Sequence, residues 1–172
     1  MSSFDNIEKQ VLLRAPVSRV WQAIANANEF GRWFGVSLDG DFVAGRPIMG
    51  TFNNLPSEAA IQEYQKSIGL PPSKVMMPKS SIVFCTPERI EPEHYFSFRW
   101  IPYGIDADAD AHAEPTTLVE FRLEPMPEGT LLTIVESGFH RVPAHRRERA
   151  FRMNDGGWAA QSKNVRTYVE GA

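Results

Sequence analysis

The feature that most constrains the fold is the passage over residues 11–35, where alternating apolar residues give way at Pro16 to helical spacing. Proline fixes φ and has no backbone N–H, so it suits the first turn of a helix and not the interior of a strand. The passage therefore predicts a strand over residues 7–14 that leads directly into two short helices, over residues 17–25 and 29–34.

The rest of the chain indicates further strands and one long final helix. Alternating patterns predict one or two strands within residues 42–52, and single strands over 81–86, 94–101, 116–124 and 130–139. Residues 57–68 have helical spacing, with Ser57 as a cap and Gly69 as a stop signal. Helical spacing over residues 143–170 is interrupted by Gly156-Gly157, which indicates a kink or a close approach to the sheet.

This order of elements predicts an α+β fold in which an antiparallel sheet curls around the long C-terminal helix. We expect a single domain over residues 1–172, with a helical insertion at about 54–78. The net charge of −3 argues against a nucleic-acid partner. No apolar run is long enough to span a membrane, no apolar leader is visible, and a single cysteine suits a reducing compartment, so we expect a cytoplasmic protein.

Several motifs in this order resemble the helix-grip superfamily of START-like (SRPBCC) domains. Within it, the sequence is most similar to bacterial proteins resembling the homologue of the activator of heat-shock-protein-90 ATPase. The motifs are Ala15-Pro16 with Val20-Trp21, Arg32-Trp33-Phe34-Gly35, Phe98-Arg99-Trp100, residues 117–121, 129–133 and 136–139, Gly157-Trp158 and Tyr168-Val169-Glu170. The resemblance implies a curved antiparallel sheet, two short helices after the first strand and a ligand cavity beside the last helix. The fold serves ligand binders, transporters, cyclases and hydrolases alike.

The inward-facing positions of this frame are rich in aromatic residues. A sheet that grips one helix rarely fills completely, so we expect part of this set to form core and the rest to line an apolar cavity. Tyr64 and Met77 of the insertion are expected to close the cavity. The predicted lining residues are Trp33, Phe34, Phe52, Tyr64, Met77, Phe96, Phe98, Trp100, Phe121, Ile134, Glu136, Phe151, Asp155 and Trp158.

Two carboxylates are candidates for chemistry in that cavity. Glu136 shares the strand phase of Ile134, so its carboxylate is expected to be desolvated, with a raised pKa. Asp155 lies on the same helical stripe as Trp158 and could face Glu136 across the cavity. The alternatives are an ion pair or hydration for Glu136 at the strand end, and a capping or kink role for Asp155.

The remaining polar clusters predict no cofactor and no metal site. The four histidines fit no metal-ligand spacing, and the acidic residues over 106–114 lack the glycine and glutamate of a calcium loop, so a solvated hairpin tip is expected. The arginines over 141–152 are expected to form a solvated helix face. Cys85 is expected to be a buried, inert thiol.

The sequence therefore predicts a protein that binds a small hydrophobic molecule between its sheet and its C-terminal helix. The first alternative is a cyclase- or hydrolase-like enzyme acting on a polyketide or aromatic substrate, with Glu136 as general acid or base. The second is a chaperone-associated interaction protein. Binding is favoured over catalysis because no nucleophile motif is present. The sequence leaves open whether the protein forms a homodimer.

Overall fold

The protein is described here by a computed structural model that covers residues 6–171. Within this range the chain forms seven strands, four α-helices and one 3-10 turn. In chain order they are β1 (Asn6–Leu13), α1 (Val17–Ala25), α2 (Ala27–Phe34), β2 (Val36–Leu38), β3 (Ile48–Phe52), α3 (Glu58–Ser67), β4 (Ile82–Glu91), β5 (Tyr95–Trp100), β6 (Thr117–Met126), β7 (Gly129–Ser137), the 3-10 turn (Phe139–Arg141) and α4 (Ala144–Glu170).

The strands form one curved antiparallel sheet in the order β1-β7-β6-β5-β4-β3-β2. The long helix α4 packs against the sheet, and α1 and α2 cover the same side. This is the helix-grip arrangement, so the predicted α+β fold is confirmed. Its concave face is marked by the alternation in β7, where Thr130, Leu132, Ile134 and Glu136 are buried and the residues between them are half-buried.

The entry into the two short helices follows the predicted pattern. Pro16 is the N-cap residue of α1, with an extended backbone. The Asn26 side chain accepts a hydrogen bond from the backbone N–H of Glu29 at 3.0 Å, so α2 begins two residues earlier than predicted. The indole N–H of Trp33 donates to the carbonyl of Ala23 at 2.8 Å and ties α2 to α1.

Several strand boundaries differ from the prediction. The fourth strand continues through Pro87 to Glu91, because a register shift between Pro87 and Arg89 accommodates the proline, which has no N–H for the ladder. Residues 36–38 form the short edge strand β2, which was not predicted because three residues are too few to show a period. Of residues 42–52, only Ile48–Phe52 are a strand.

Helix α4 continues without interruption through Gly156 and Gly157, so the predicted kink is wrong. The close approach at Gly156 is to the insertion, not to the sheet. A Cβ atom at Gly156 would lie 2.0 Å from the hydroxyl oxygen of Tyr64 on α3, whereas nothing lies within 4 Å of a Cβ atom at Gly157. Gly156 therefore allows α3 to pack against α4. None of the helices in residues 6–171 is long and apolar enough to cross a membrane.

Candidate functional site

The centre of the candidate site is the carboxylate of Glu136, which is fully buried on the concave face. Its Oε2 atom accepts hydrogen bonds from the indole Nε1 of Trp100 at 2.8 Å and the hydroxyl of Thr117 at 2.6 Å. Its Oε1 atom accepts from the indole Nε1 of Trp158 at 2.9 Å. The amide Nδ2 of Asn154 lies 3.0 Å from Oε1 and 3.1 Å from Oε2. Both carboxylate oxygens are therefore hydrogen-bonded within the protein.

Four elements bring these groups together. Trp100 ends β5 and stands opposite Thr117 at the start of β6, while Glu136 lies near the end of β7. Three adjacent strands thus supply the acceptor and two donors from the same end of the sheet. Asn154 and Trp158 are four residues apart on α4, a spacing that places both side chains on the same helix face. The helix therefore adds two donors from the opposite side.

The electrostatics of the site are unusual because every donor is uncharged. Within residues 6–171, no lysine or arginine forms an ion pair with Glu136. Burial disfavours the charged form and raises the pKa of Glu136, while the hydrogen bonds from Thr117, Trp100, Trp158 and Asn154 oppose that shift. The net direction is upward, as the sequence predicts for a desolvated carboxylate.

Aromatic rings surround this carboxylate. The ring centroid of Trp100 lies 5.7 Å from that of Trp158, 5.3 Å from that of Phe98 and 6.0 Å from that of Phe34. Phe34 is 5.9 Å from Trp158, and Phe121 is also 5.9 Å from Trp158. These separations are in the range of favourable aromatic pairs. The polar centre therefore lies inside an aromatic cluster.

The predicted lining residues fall into two groups. Trp33, Phe96, Phe98, Phe121, Ile134 and Trp158 are buried in the core, whereas Phe34, Phe52, Met77, Trp100 and Phe151 are half-buried. The structure brings Phe34, Phe98, Trp100, Phe121 and Trp158 together in one cluster. Among the ring pairs of residues 6–171, Phe52 is linked to the cluster through Phe84, and Phe151 pairs with Phe139. Tyr64 is 40% exposed and lies against Gly156.

The expected pairing of Asp155 with Glu136 is wrong. Asp155 Oδ1 lies 2.8 Å from the ammonium nitrogen of Lys9 on β1, and its side chain is 48% exposed. The preceding residue, Asn154, contacts Glu136 instead. Successive helical residues point about 100° apart, so only one of these two side chains can face the sheet. Asn154 is not among the predicted lining residues, although its spacing of four residues from Trp158 is the signal that could have identified it.

The expected solvated acidic loop and solvated arginine face are also wrong. Arg146 and Asp106 are buried, and Arg146 donates to Glu114 at 2.7 Å, to Asp106 at 3.3 Å and to the carbonyl of Pro102 at 2.8 Å. Arg149 donates to both carboxylate oxygens of Asp106, at 3.0 and 3.1 Å. The ion pairs clamp the loop between β5 and β6 onto the start of α4.

The insertion is attached to that clamped loop. Of the ten residues of α3, only Ile61 and Gln65 are buried. The Gln65 amide donates to the hydroxyl of Tyr103 at 3.2 Å, and Val75 forms an isolated β-bridge with Asp106. The helix is therefore held mainly by polar contacts at its C-terminal end and in the segment that follows it.

Two surface depressions are prominent, and none of the predicted cavity residues lines either of them. One has a volume of about 320 Å³ and lies on the convex side of the sheet, and the other, of about 340 Å³, lies between β1 and α4. Among residues 6–171, no three His, Cys, Asp or Glu side chains are grouped to hold a metal ion.

No family model matches the chain, and no curated protein matches its sequence. Solved structures of the same shape are numerous. Protein MLL2253 from Mesorhizobium loti is similar over 97% of this chain and 98% of its own, with 16% identity and a TM-score of 0.65. CalU16 from Micromonospora echinospora is 18% identical over 96% of this chain and 73% of its own, with a TM-score of 0.56.

DynU16, a protein in the dynemicin biosynthetic locus, is 20% identical over 96% of this chain, with a TM-score of 0.63. This chain spans about half of DynU16, since the match covers 47% of that protein. These likenesses establish the fold. The resemblance to the START-like superfamily, and within it to the homologue of the heat-shock-protein-90 activator, stays a prediction from the sequence.

Proposed function

We propose that this protein binds a small, partly aromatic apolar molecule between the concave face of its sheet and α4, beneath α3. The observation that carries the proposal is the carboxylate of Glu136, buried among aromatic rings and held by uncharged donors. A buried ionisable group without a counter-charge costs free energy. An apolar lining with a few convergent polar groups is the usual composition of a small-molecule site.

The half-buried rings of Phe34, Phe52 and Trp100 define where such a ligand would make contact. In the structure Phe34 and Trp100 belong to the aromatic cluster of the candidate site, and Phe52 is linked to it through Phe84. A bound molecule therefore has to take the place of ring-to-ring contacts. A flat aromatic ligand can replace them with equivalent stacking. The amide of Asn154 could then donate to a carbonyl or hydroxyl oxygen of the ligand.

We propose that α3 moves to admit a ligand, because its Tyr64 lies against Gly156 of α4, two residues from both Asn154 and Trp158. Helix α3 buries little apolar surface, and segments with few buried apolar contacts open at low free-energy cost. Met76, which is 69% exposed, and the half-buried Met77 follow it. Methionine side chains adapt to ligands of varied shape. The insertion thus has the properties of a lid over the candidate site.

The fold shared with DynU16 suggests which ligands to test first. Because that protein belongs to the dynemicin biosynthetic locus, aromatic polyketides and related pathway products are the leading class. The free, buried thiol of Cys85 is compatible with the cytoplasmic location expected from the sequence. The chaperone-associated role and a homodimer stay predictions.

Binding is favoured over the enzymatic alternative by the hydrogen bonds of Glu136. A general acid or base must reach the proton that it transfers, and both oxygens of this carboxylate already accept bonds from Trp100, Thr117, Asn154 and Trp158. The arrangement suits an anchor for the site better than a proton carrier.

The test is a titration of the protein with 1-anilinonaphthalene-8-sulfonate and, separately, with a panel of aromatic polyketides. Binding is monitored by tryptophan fluorescence and by the change in the thermal unfolding temperature. We expect saturable 1:1 binding, quenching and a raised melting temperature, because a ligand that binds only the folded state stabilises it. Trp100→Phe should weaken binding. Trp21→Phe, on α1, is the matched control and should not.

Absence of saturable binding for every compound, with no change in melting temperature, would contradict the proposal. Equal effects of the two tryptophan substitutions would also contradict it, because Trp21 lies outside the aromatic cluster around Glu136. Amide hydrogen exchange over residues 58–78 adds an independent readout. Protection there should change when ligand binds.

A further inference from the structure

A depression on the convex face of the sheet lies directly behind the Glu136 site. Arg99 on β5 stands opposite Leu118 on β6, Leu118 opposite Ser137 on β7, and Ser137 opposite Asn6 on β1. Residues opposite one another in adjacent strands point to the same face. Because Glu136 points to the concave face, its neighbour Ser137 and the rest of this row point to the convex face.

The 3-10 turn forms the wall of this depression. Gly138 has a φ of +100°, a left-handed conformation that glycine adopts without strain, and it turns the chain out of β7. The turn then places the exposed His140 and Arg141 beside the row of strand residues. The depression is open to solvent and has a volume of about 320 Å³, at the lower end of the usual range for small-molecule pockets.

Two arginines give the depression a basic lining. Arg99, His140 and Arg141 line it together with the polar side chains of Asn6 and Ser137, and none of its described lining residues is acidic. Arg99 donates through Nε to Glu88 at 3.2 Å. Its terminal guanidinium nitrogens form no hydrogen bond or ion pair within residues 6–171, and neither does the side chain of Arg141.

We infer that this convex pocket binds a small oxyanion, either a carboxylate or a phosphate group. The planar guanidinium fork matches both groups with two parallel hydrogen bonds, and two such forks on different elements can hold one anion from two sides. The depression between β1 and α4 is less suited, because Glu8 lines it and its Lys9 is already paired with Asp155.

The experiment is a titration with inorganic phosphate and, separately, with succinate, at an ionic strength held constant with chloride. Backbone amide shifts of Gly138 and His140 give the dissociation constant. We expect saturable shifts at these residues. Arg141→Gln and Arg99→Gln should each weaken binding about tenfold, the loss of one charge-assisted contact.

Two further variants separate a built site from general surface charge. Arg122→Gln removes an exposed cation from the same face of β6, where it pairs with Glu120, and should leave the dissociation constant within about twofold. Glu88→Gln frees Arg99 from its carboxylate and should maintain or tighten binding.

The relative affinities for phosphate and succinate identify which oxyanion the pocket prefers. The inference is overturned if neither anion gives saturable shifts. Equal weakening by Arg122→Gln and Arg141→Gln, or weaker binding in Glu88→Gln, would overturn it too. These outcomes are independent of ligand binding on the concave face, because neither the reporter amides nor the substituted residues are part of the aromatic cluster around Glu136.

Discussion

The indole Nε1 of Trp158 lies 2.9 Å from the Oε1 atom of Glu136, so α4 is joined to β7 by a polar contact inside an aromatic cluster. Apolar packing alone tolerates small rotations of a helix over a sheet. A buried hydrogen bond does not, because a shift that breaks it leaves a desolvated polar group unpaired. The bond therefore fixes the rotation of α4 relative to the sheet.

Glu136→Gln should lower the free energy of unfolding by about 1–3 kcal/mol at neutral pH, because the amide group would direct an N–H toward a donor and leave it unsatisfied. Chemical denaturation measures the change. Glu124→Gln, at an exposed position of β6, is the control, with an expected change below about 0.5 kcal/mol. An unchanged free energy of unfolding in Glu136→Gln would show that these hydrogen bonds do not stabilise the fold.

The pH dependence of the same variant gives a second measurement. Burial raises the pKa of Glu136 in the folded protein, so the folded state retains this proton to higher pH than the unfolded state does. The stability of the wild type relative to Glu136→Gln should thus be greatest below about pH 4.3, the ordinary glutamate value. It should fall as the pH rises through the folded pKa. A difference that rises with pH would contradict the assignment.

Gly156→Ala should displace α3, because the new Cβ atom would lie 2.0 Å from the hydroxyl oxygen of Tyr64. Tyr64 is the flexible partner, so we expect faster amide hydrogen exchange over residues 58–67 and not global unfolding. Gly157→Ala is the matched control, since its Cβ atom meets nothing within 4 Å. It should stabilise α4 by up to about 1 kcal/mol.

Combining Gly156→Ala with Tyr64→Leu should restore slow exchange, because the clashing ring is removed. If both alanine variants change exchange over residues 58–67 equally, α3 does not depend on the contact with Gly156. Binding of the fluorescent probe by the Gly156→Ala variant then tests the lid directly. A displaced lid should speed association.

Arg146→Ala should destabilise the fold by about 3–5 kcal/mol, the usual cost of removing one partner from a buried ion pair. The side chain is inaccessible to solvent, and its loss leaves the carboxylate of Glu114, which is 5% exposed, without its cation. The neighbouring Arg147 donates to the carbonyl of Val142 and forms no ion pair within residues 6–171. Arg147→Ala should cost less than about 1 kcal/mol. Similar melting temperatures for both variants would show that the buried ion pairs of Arg146 do not hold the loop between β5 and β6 onto α4.

Cys85 should resist thiol reagents in the folded protein. It is buried on β4, and burial raises the pKa of its thiol, so almost no thiolate is present at pH 8. Labelling with dithionitrobenzoate should be slow in buffer and fast in denaturant. Rapid labelling of the native protein would show that β4 opens locally.

Local sequence patterns predicted the order of strands and helices and which strand residues face inward. Pro16 marks the change from strand to helix, and the alternation around Ile134 predicts that Glu136 faces inward. Both follow from interactions within a few residues, because strand and helix periods are set by backbone geometry. The inward burial of Trp158 was predicted from the same kind of pattern.

Tertiary structure decided which partners meet. Only the rotation of α4 over the sheet selects Asn154 rather than Asp155 for Glu136. Likewise, only the path of the loop after β5 brings Asp106 and Glu114 to Arg146. The separations in sequence are 40 residues for Asp106 and 32 for Glu114. Such contacts depend on the packing of the whole chain, so they cannot be predicted from sequence patterns that extend over only a few residues.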